Sequence, residues 1–513
     1  MESTDSIDGH AHATNEESPL FVDNNRDVSN TASQSAAFTR KSIFAVTRII
    51  GTVVLVEAAT ILTDVPIYEI LEDIICRQMG RMGDGDNGTH GCSGDADVQA
   101  ELAFLRGWQL TLELLPGILM AIPYGIVGDR YGRKVMFIVC MVGILLTQLF
   151  YLLVCWRSDI FPVRLTWAAS IFTLIGGGSV ILNGIVFAML SDVSPEASRS
   201  TVFFYFGAAV LAGELVFSSL AAFLMQRISV WAPIQLSLAL FVPVVPLCLT
   251  LPETLLKDDP TPTDVAGTEN GAENDTTGPS ASRTKTMRNA LSDTAASFTA
   301  STAFLFNGAD HQVGLLLTTL LTTTLGRHAQ DILLQFTRGR YDWSWAQAGY
   351  LVSLKAFVVL LLLLVLLPAI STNYALTRWW PLLAGVRTPQ QRDLWLARAS
   401  CVILIVGCLV VGLAPTAASM ITGLVVYCLG NGYNLVLRSL LAVLVEPAHR
   451  GTLFNAAGIL ESTGAIIAGP LLAAAYRAGL RLGGLWTGLP FFVAVALFGT
   501  ALFVLATARL PSS

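Results

Sequence analysis

The fold of this chain is decided by the stretch Gly125-Ile-Val-Gly-Asp-Arg-Tyr-Gly-Arg-Lys134. It places turn-forming and charged residues between two apolar runs, Leu102 to Val127 and Val135 to Val154, and each run has the roughly 20 apolar residues that cross a bilayer. Gly125 permits close approach of a neighbouring helix, and Gly132 permits a tight turn. The residues expected to hold this hairpin on the cytoplasmic side of a membrane are Arg130, Arg133 and Lys134.

The composition indicates the same class of protein. The chain has 513 residues, of which 53% are hydrophobic and only 13% are charged, far from the averages of soluble domains. The net charge of -6 says little about partners, because the acidic excess lies in polar tails and loops. No basic cluster indicates a nucleic-acid partner. We therefore predict an all-α integral membrane protein that contacts a lipid bilayer.

Twelve apolar stretches reach spanning length. Six precede a polar segment dense in Thr, Asp, Gly, Asn and Ser, which cannot bury enough apolar surface to order itself, and six follow it. The predicted runs 1 to 12 are Ala45 to Val65, Leu102 to Val127, Val135 to Val154, Trp167 to Leu190, Val202 to Met225, Val230 to Leu251, Val313 to Phe336, Ala346 to Ile370, Leu394 to Leu413, Ala418 to Leu444, Leu453 to Tyr476 and Leu489 to Ala506.

These runs divide the chain into five parts. A short repeat supports the division, because Arg199-Ser-Thr-Val-Phe203 and Arg450-Gly-Thr-Leu-Phe454 each open the fifth helix of one half. The predicted parts are a disordered cytoplasmic tail (1–42), a six-helix bundle (43–251), a disordered cytoplasmic linker (252–310), a second six-helix bundle (311–508) and a short cytoplasmic tail (509–513).

The hairpin motif, a glycine, three residues and then Asp-Arg-x-Gly-Arg-Lys, resembles the loop signature of the major facilitator superfamily, and the chain resembles its fungal 12-helix members. The resemblance implies two pseudo-symmetric six-helix bundles with the substrate bound between them near mid-membrane. It also implies that Asp129 meets the start of run 11 and that Arg133 pairs with Asp192, which closes the cytoplasmic side. The inner gate predicted in this way consists of Gly125, Asp129, Arg130, Gly132, Arg133, Lys134 and Asp192.

The first outer loop carries two features of a non-cytoplasmic surface. Asn87-Gly-Thr89 is a glycosylation sequon, and Cys76 and Cys92 are the only cysteines outside the predicted runs. Both chemistries need the side of the membrane away from the cytoplasm. We expect a disulfide between the two cysteines, whereas the sequon leaves glycosylation of Asn87 and no modification equally open. The other six cysteines lack the spacing of a metal site and are interpreted as packing residues.

Ionisable residues inside the runs indicate where chemistry takes place. A charge at a helix centre costs about 2.5 to 3.5 kcal/mol on insertion scales, so it needs a partner, water or a function. Glu57 and Glu214 are the leading candidates for a proton site. The alternative is that some of these acids face outward, lie at helix ends or are permanently paired. The full set of proton or substrate candidates is Glu57, Glu113, Glu214, Lys355, Glu461 and Asn183.

One pair between the halves is predicted from depth in the membrane. Runs 5 and 8 face each other in the superfamily, and the rise of about 1.5 Å per residue places Glu214 and Lys355 at similar depth. The sequence therefore predicts an ion pair between them, unless helical phase points Lys355 elsewhere. In run 4, Gly176 to Gly178 predicts either tight packing or a local bend.

Run 7 contains a second group of ionisable residues. Arg327 and Asp331 lie one turn apart and are predicted to neutralise each other. His328 is open to a role in proton relay. Beyond the run, Arg338 is assigned to an outer loop, and Tyr341-Asp-Trp-Ser-Trp345 is predicted to form an aromatic cap at the membrane interface.

The resemblance implies a secondary active transporter that moves a small organic molecule by alternating access. Run 4 lacks the arginine of the usual drug-antiporter pattern, and Pro252-Glu-Thr254 lacks the longer ending of typical sugar transporters. Proton-coupled efflux of a secondary metabolite or toxic compound is the leading interpretation. Proton-coupled nutrient uptake and a non-transporting membrane sensor on the same fold stay open.

An enzyme is not predicted, because no nucleotide-binding loop, metal spacing or catalytic constellation is visible in the sequence. The same observation predicts no cofactor and no metal. We expect a protein that is functional as a monomer in the plasma membrane or the vacuolar membrane.

Overall fold

The computed structural model describes residues 24–80, 92, 95–194, 199–254, 311–366, 389–444 and 450–507. Every regular element in these residues is helical. The first six helices are α1 (Asn24–Gln78), α2 (Ala96–Tyr131), α3 (Arg133–Trp156), α4 (a 3₁₀ segment Val163–Leu174 and then Gly178–Val193), α5 (Arg199–Arg227) and α6 (Trp231–Leu249).

The second half repeats this organisation with more interruptions. Its helices are α7 (His311–Arg327, a 3₁₀ segment His328–Ile332 and Leu333–Tyr341), α8 (Trp345–Leu361 and a π segment Leu362–Leu366), α9 (Pro389–Leu413), α10 (Ala417–Leu429, a 3₁₀ segment Gly430–Gly432 and Tyr433–Leu444), α11 (Arg450–Leu482) and α12 (a 3₁₀ segment Gly484–Gly488 and Leu489–Thr507).

Within the described residues, ten helices are long and apolar enough to cross a membrane by length and composition. α2 and α7 are outside this set. They carry several charged residues, among them Arg106 and Glu113 in α2 and Arg327 and Asp331 in α7. Both helices nevertheless cover the predicted runs 2 and 7, so each of the twelve runs corresponds to a helix.

α1 is longer than the sequence predicts at both ends. It begins at Asn24, inside the segment predicted to be a disordered tail, and it continues to Gln78 instead of ending at Val65. The predicted end of this helix at Val65 is wrong because acidic residues that follow the apolar run have partners inside the protein. Glu72, for example, accepts a hydrogen bond from Gln99 at 2.6 Å. Residues 1–23 and 255–310, which include most of the predicted linker, lie outside the described residues.

Three glycines interrupt α4. Gly176, Gly177 and Gly178 have φ angles of 83°, 78° and 64°, a left-handed backbone that favours glycine. They join the 3₁₀ segment to the α-helical segment, so the local bend, one of the two predicted alternatives, is present. Close packing is the other, because a Cβ atom on Gly176 would lie 2.5 Å from Cys140 Cα of α3.

The hydrophobic core shows where the two halves meet. One cluster of buried side chains combines first-half residues such as Leu71 and Leu102 with Leu334, Trp345 and Ala348 of the second half. It lies at the end of the molecule that carries Cys76 and Cys92, which we call the disulfide end. A second cluster packs α1 against α3, α4 and α6 and contains first-half residues only. The described core of the two halves is therefore continuous at the disulfide end.

A disulfide joins α1 to the segment before α2. Cys76 and Cys92 are bonded, with their Cα atoms 6.2 Å apart, and both are buried. The six other cysteines are free and buried. Asn87 of the sequon lies outside the described residues, so its glycosylation stays a prediction.

Removing this disulfide is expected to destabilise the protein by about 3 kcal/mol, because the bond closes a loop of roughly 15 residues in the unfolded chain. The measurement is thermal unfolding of the wild type and of Cys76→Ser/Cys92→Ser, with and without a reductant. The wild type should melt at a lower temperature in reductant, whereas the double variant should not respond. Equal melting of wild type and variant, with free thiols at both positions by mass spectrometry, would contradict the prediction.

Candidate functional site

A cavity of 410 Å³ lies between the two halves, within the range of sites that hold small organic ligands. α1, α2 and α5 line it from the first half, and α7, α8 and α11 from the second. About half of the lining residues are aliphatic. The titratable side chains in the lining are Glu57, Asp64, Tyr68, Arg106, Glu113, Glu214, His328, Asp331 and Lys355.

An ion pair in this wall joins α5 to α8. Lys355 Nζ lies 3.1 Å from Glu214 Oε1, and the two side chains are 32% and 22% exposed. The contact predicted from helical rise is therefore present. One turn further along α5, Ser218 Oγ lies 2.7 Å from Ser353 Oγ of α8, and Ser219 Oγ lies 2.8 Å from the same atom. These contacts fix the two helices, and hence the two halves, to each other at the depth of the cavity.

A chain of polar contacts runs along α2. The Arg106 guanidinium lies 4.5 Å from the centroid of the Tyr68 ring and donates to Gln109 Oε1 at 3.2 Å. Gln109 Nε2 donates to Glu113 Oε1 at 2.7 Å. Gln109 Oε1 also accepts from the Tyr151 hydroxyl at 3.2 Å. The predicted candidate Glu113 is thus held by a hydrogen bond and linked to a cation through one amide.

α7 pairs its charges differently from the prediction. His328 Nδ1 lies 2.8 Å from Asp331 Oδ2, so the described side-chain partner of Asp331 is His328 and not Arg327. The prediction was wrong because the helix changes to 3₁₀ geometry over His328–Ile332. With three residues per turn, side chains three positions apart lie above one another, whereas the predicted pair assumes the four-residue spacing of an α-helix.

A buried charge cluster closes the cavity toward the disulfide end. Arg338 Nη2 lies 3.2 Å from Glu72 Oε2, with both side chains 7% exposed. Trp345 Nε1 donates to the same carboxylate at 2.5 Å, and the Trp345 ring stacks on Tyr68 with centroids 5.3 Å apart. Gln99 donates to Glu72 from α2. We call Glu72, Gln99, Arg338 and Trp345 the closure cluster.

The closure cluster corrects two predictions. Arg338 is a buried residue of α7 instead of an outer-loop residue. Trp345 is 1% exposed and so does not form an aromatic cap at the membrane interface. Both residues reach Glu72 because α1 extends beyond its apolar run. The cluster therefore links the first half to the second across the end of the cavity.

Backbone contacts close the same end. A Cβ atom on Gly107 of α2 would lie 2.5 Å from the carbonyl oxygen of Gly469 in α11, and Thr111 Oγ1 donates to Ile466 O at 2.7 Å. At the other end of α2, the hairpin end, a Cβ atom on Gly125 would meet nothing within 4 Å. The close helix approach predicted at Gly125 is absent there, because in this conformation α2 meets α11 nearer the disulfide end.

The sequence profile of the Major Facilitator Superfamily matches residues 102–469. The chain belongs to this superfamily. It is 31% identical to the MFS efflux pump atnC of Emericella nidulans, over 99% of this chain and 96% of that protein. It is also 31% identical to the efflux pump ustT of Aspergillus flavus, over 86% of this chain and 84% of that protein. These relatives confirm the predicted resemblance to fungal members.

Solved structures share the fold at low identity. The D-xylose–proton symporter is 12% identical, with a TM-score of 0.60 over 91% of this chain and 97% of that chain. The human organic anion transporter MFSD10 (TETRAN) is 18% identical, with a TM-score of 0.52 over 90% of this chain and 99% of that chain. The family match and the curated relatives make the chain a multi-pass membrane transporter, and the solved structures agree with the predicted fold of two six-helix bundles.

Part of the predicted inner gate of this transporter is described. Arg133 Nε lies 3.7 Å from Asp192 Oδ2, and the Arg133 backbone N–H donates to Glu253 Oε1 at 2.8 Å. Lys134 Nζ donates to Leu249 O at 2.6 Å. Gly132 has a φ of 110° and forms the turn. These contacts tie the hairpin to the ends of α4 and α6, all within the first half, so they do not by themselves hold the two halves together on this side. The side chains of Asp129 and Arg130 lie outside the described residues, so their roles stay predictions.

Two further candidates lie away from the cavity. Glu461 of α11 is outside its lining and pairs with Arg438 of α10 at 2.6 Å. Asn183 of α4 is exposed and is also outside the lining. The cavity lining instead contains Asp64 and Arg106, which were not among the candidates predicted from the sequence. Both lie near the ends of predicted runs, where charges are usual. Only the extension of α1 and α2 beyond these runs places them inside the protein.

The contact between α2 and α11 predicts the effect of a small substitution. Gly107→Ala should weaken closure of the disulfide end and lower transport several-fold, because its Cβ atom would overlap Gly469 O. Gly458→Ala, also in α11, is the matched control, since a Cβ atom there meets nothing within 4 Å. It should be neutral or stabilise by up to about 1 kcal/mol. Thermal unfolding and transport rate are measured for both. Equal behaviour of the two variants would contradict the close contact.

Proposed function

We propose that the transporter exports a small organic compound from the cytosol in exchange for protons. The observation that carries this proposal is the Lys355–Glu214 pair, which joins the two halves in the wall of the cavity. A carboxylate that exchanges a lysine partner for a proton links protonation to separation of the halves. The relatives atnC and ustT are efflux pumps by their names, which favours export over uptake.

The described conformation suits loading from the hairpin end. The closure cluster and the Gly107–Gly469 contact seal the disulfide end, while Gly125 has no close neighbour at the hairpin end. With the hairpin on the cytoplasmic side, as its basic residues predict, the cavity opens to the cytosol. Binding of the compound would then displace Glu214 from Lys355, so that α5 and α8 can separate as the halves rock. In exchange transport, Glu214 takes up a proton only while the cavity opens to the opposite side, and it releases that proton when the pair with Lys355 forms again.

Glu57 and Glu113 are the other carboxylates proposed to carry protons. Glu57 lines the cavity from α1 and Glu113 from α2. Taking a charged carboxylate out of water is costly, and protonation removes that cost. Each acid can therefore take up a proton in one conformation and release it in another. The proposal requires at least one of Glu57, Glu113 and Glu214 to couple proton movement to transport.

Export is tested by comparing metabolites in the source organism with and without the gene. Deletion should raise the intracellular amount of at least one organic compound and lower its amount in the medium, and the wild-type gene should reverse both changes. A fall inside the cell would support uptake by proton symport instead. No change in any compound in either compartment would refute export. A fluorescent fusion in the same cells would distinguish the plasma membrane from the vacuolar membrane.

Proton coupling is tested in proteoliposomes with the compound identified in this way. Glu57→Gln, Glu113→Gln and Glu214→Gln are compared with the wild type under an imposed pH gradient. Neutralising the coupling residue should abolish pH-driven flux and leave downhill exchange of the compound. Wild-type pH dependence in all three variants would exclude these acids as the coupling site.

A further inference from the structure

Two carboxylates of α1 face the cavity without an ion-pair partner. Glu57 and Asp64 both line it and lie seven residues apart, which is about two helical turns and hence one face of the helix. Within the described residues, no lysine or arginine lies within ion-pair distance of either carboxylate, whereas Glu214 pairs with Lys355 and Asp331 is hydrogen-bonded to His328.

The cations of the cavity make their closest contacts with groups other than Glu57 and Asp64. Lys355 is paired with Glu214. Arg106 lies over the Tyr68 ring and donates to Gln109. The lining contains five carboxylates against two permanently charged cations, so the excess charge is negative in the state in which these acids are ionised. A cavity with apolar walls strengthens this field, because its low dielectric screens charges less than water does.

An unused hydrogen-bonding group provides an independent sign of a ligand. Gln335 of α7 lines the cavity and is 1% exposed. Its Oε1 atom makes no hydrogen bond to any described residue, and the same holds for Nε2 of Gln330, which also lines the cavity. Buried amide groups are nearly always paired. A ligand with a polar group beside its charged group would supply the missing partner.

We infer that the cavity selects a compound with a protonated amine on a largely hydrocarbon body. Glu57 and Asp64 hold the ammonium group, Gln335 contacts a second polar group, and the aliphatic walls formed by residues such as Val210 and Leu351 contact the hydrocarbon. This inference rests on the proposed function, since it names the chemical class of the exported substrate.

The test measures binding without any pH gradient. Purified transporter in lipid nanodiscs is titrated by calorimetry with three probes of one skeleton, 4-phenylbutylamine, 4-phenylbutanol and 4-phenylbutyrate. The amine should bind at least about tenfold more tightly than the alcohol or the acid, because a hydrogen bond to a charged group is worth about that factor. Glu57→Gln/Asp64→Asn should remove the preference. Asp159→Asn, an exposed acid in the loop after α3, is the control and should keep it.

Several results would overturn the inference. These are binding of none of the probes, equal or tighter binding of the alcohol or the acid, and an amine preference that survives in the double variant. If the double variant does not fold, Asp64→Asn alone should reduce the preference for the amine. The comparison of the three probes on the wild type still tests whether the cavity selects an amine. Amine-selective binding without proton-driven flux would refute the proposed coupling and leave this inference standing. Proton-driven flux by a transporter that shows no preference for the amine probe would refute this inference and leave the proposed coupling standing.

Discussion

Glu214→Gln is expected to lower pH-driven transport at least about tenfold, and Lys355→Met is expected to do the same. Each change leaves one charge of the pair without its partner in a partly buried wall, where the pair is now 3.1 Å apart. Losing one member of a buried pair costs on the order of 2 kcal/mol or more, and about 1.4 kcal/mol corresponds to a factor of ten. The initial rate of pH-driven flux into proteoliposomes measures the effect.

The charge swap separates pairing from other roles of these residues. Glu214→Lys with Lys355→Glu should restore more transport than either single neutralisation allows, because the attraction between the halves returns. Glu101→Gln is the matched control, since Glu101 pairs with Arg164 at 2.7 Å outside the cavity lining. It should leave the flux unchanged. A swap that is no better than the single variants would rule out coupling through this pair.

Arg338→Met is expected to open the disulfide end. Glu72 would keep a buried charge with its cation removed, which costs about 3 to 5 kcal/mol in the closed conformation. The equilibrium should therefore shift toward the open conformation by about a hundredfold or more. The readout is the rate at which a membrane-impermeant maleimide labels Ala348→Cys, a position that is now 0% exposed.

The paired replacement tests whether charge or shape is responsible. Glu72→Gln/Arg338→Met removes both charges, so it should label more slowly than Arg338→Met alone and close to the rate in the otherwise wild-type protein. Size-exclusion elution and thermal unfolding exclude a general loss of structure. Unchanged labelling in folded Arg338→Met protein would show that the closure cluster does not hold this end shut.

The helices and one ion pair were accessible from sequence because they depend on local quantities. The length of an apolar run sets a membrane span, and the rise per residue sets the depth of Glu214 and Lys355. The hairpin from Gly125 to Lys134 then identified the fold through its resemblance to the superfamily. The rise per residue sets only depth, so the facing of runs 5 and 8 had to come from the same resemblance.

The closure cluster could not be predicted in the same way, because it depends on contacts between residues far apart in the chain. Glu72 and Arg338 are 266 positions apart, and each follows the end of its predicted apolar run. A charge in that position is usually interfacial, so nothing local marks it as buried. The pairing within α7 was missed for a different reason, since periodicity cannot distinguish a 3₁₀ segment from a continuous α-helix at His328 and Asp331.

Proton movement against the exported compound is the most direct test of the proposed mechanism. Proteoliposomes are loaded with the compound and a pH-sensitive dye, and are then diluted into medium without the compound and without a pH gradient. Outward movement of the compound should draw protons inward and acidify the lumen, and Glu214→Gln should abolish the acidification while the compound still exchanges. A lumen whose pH stays constant while the wild type releases the compound would contradict proton-coupled export.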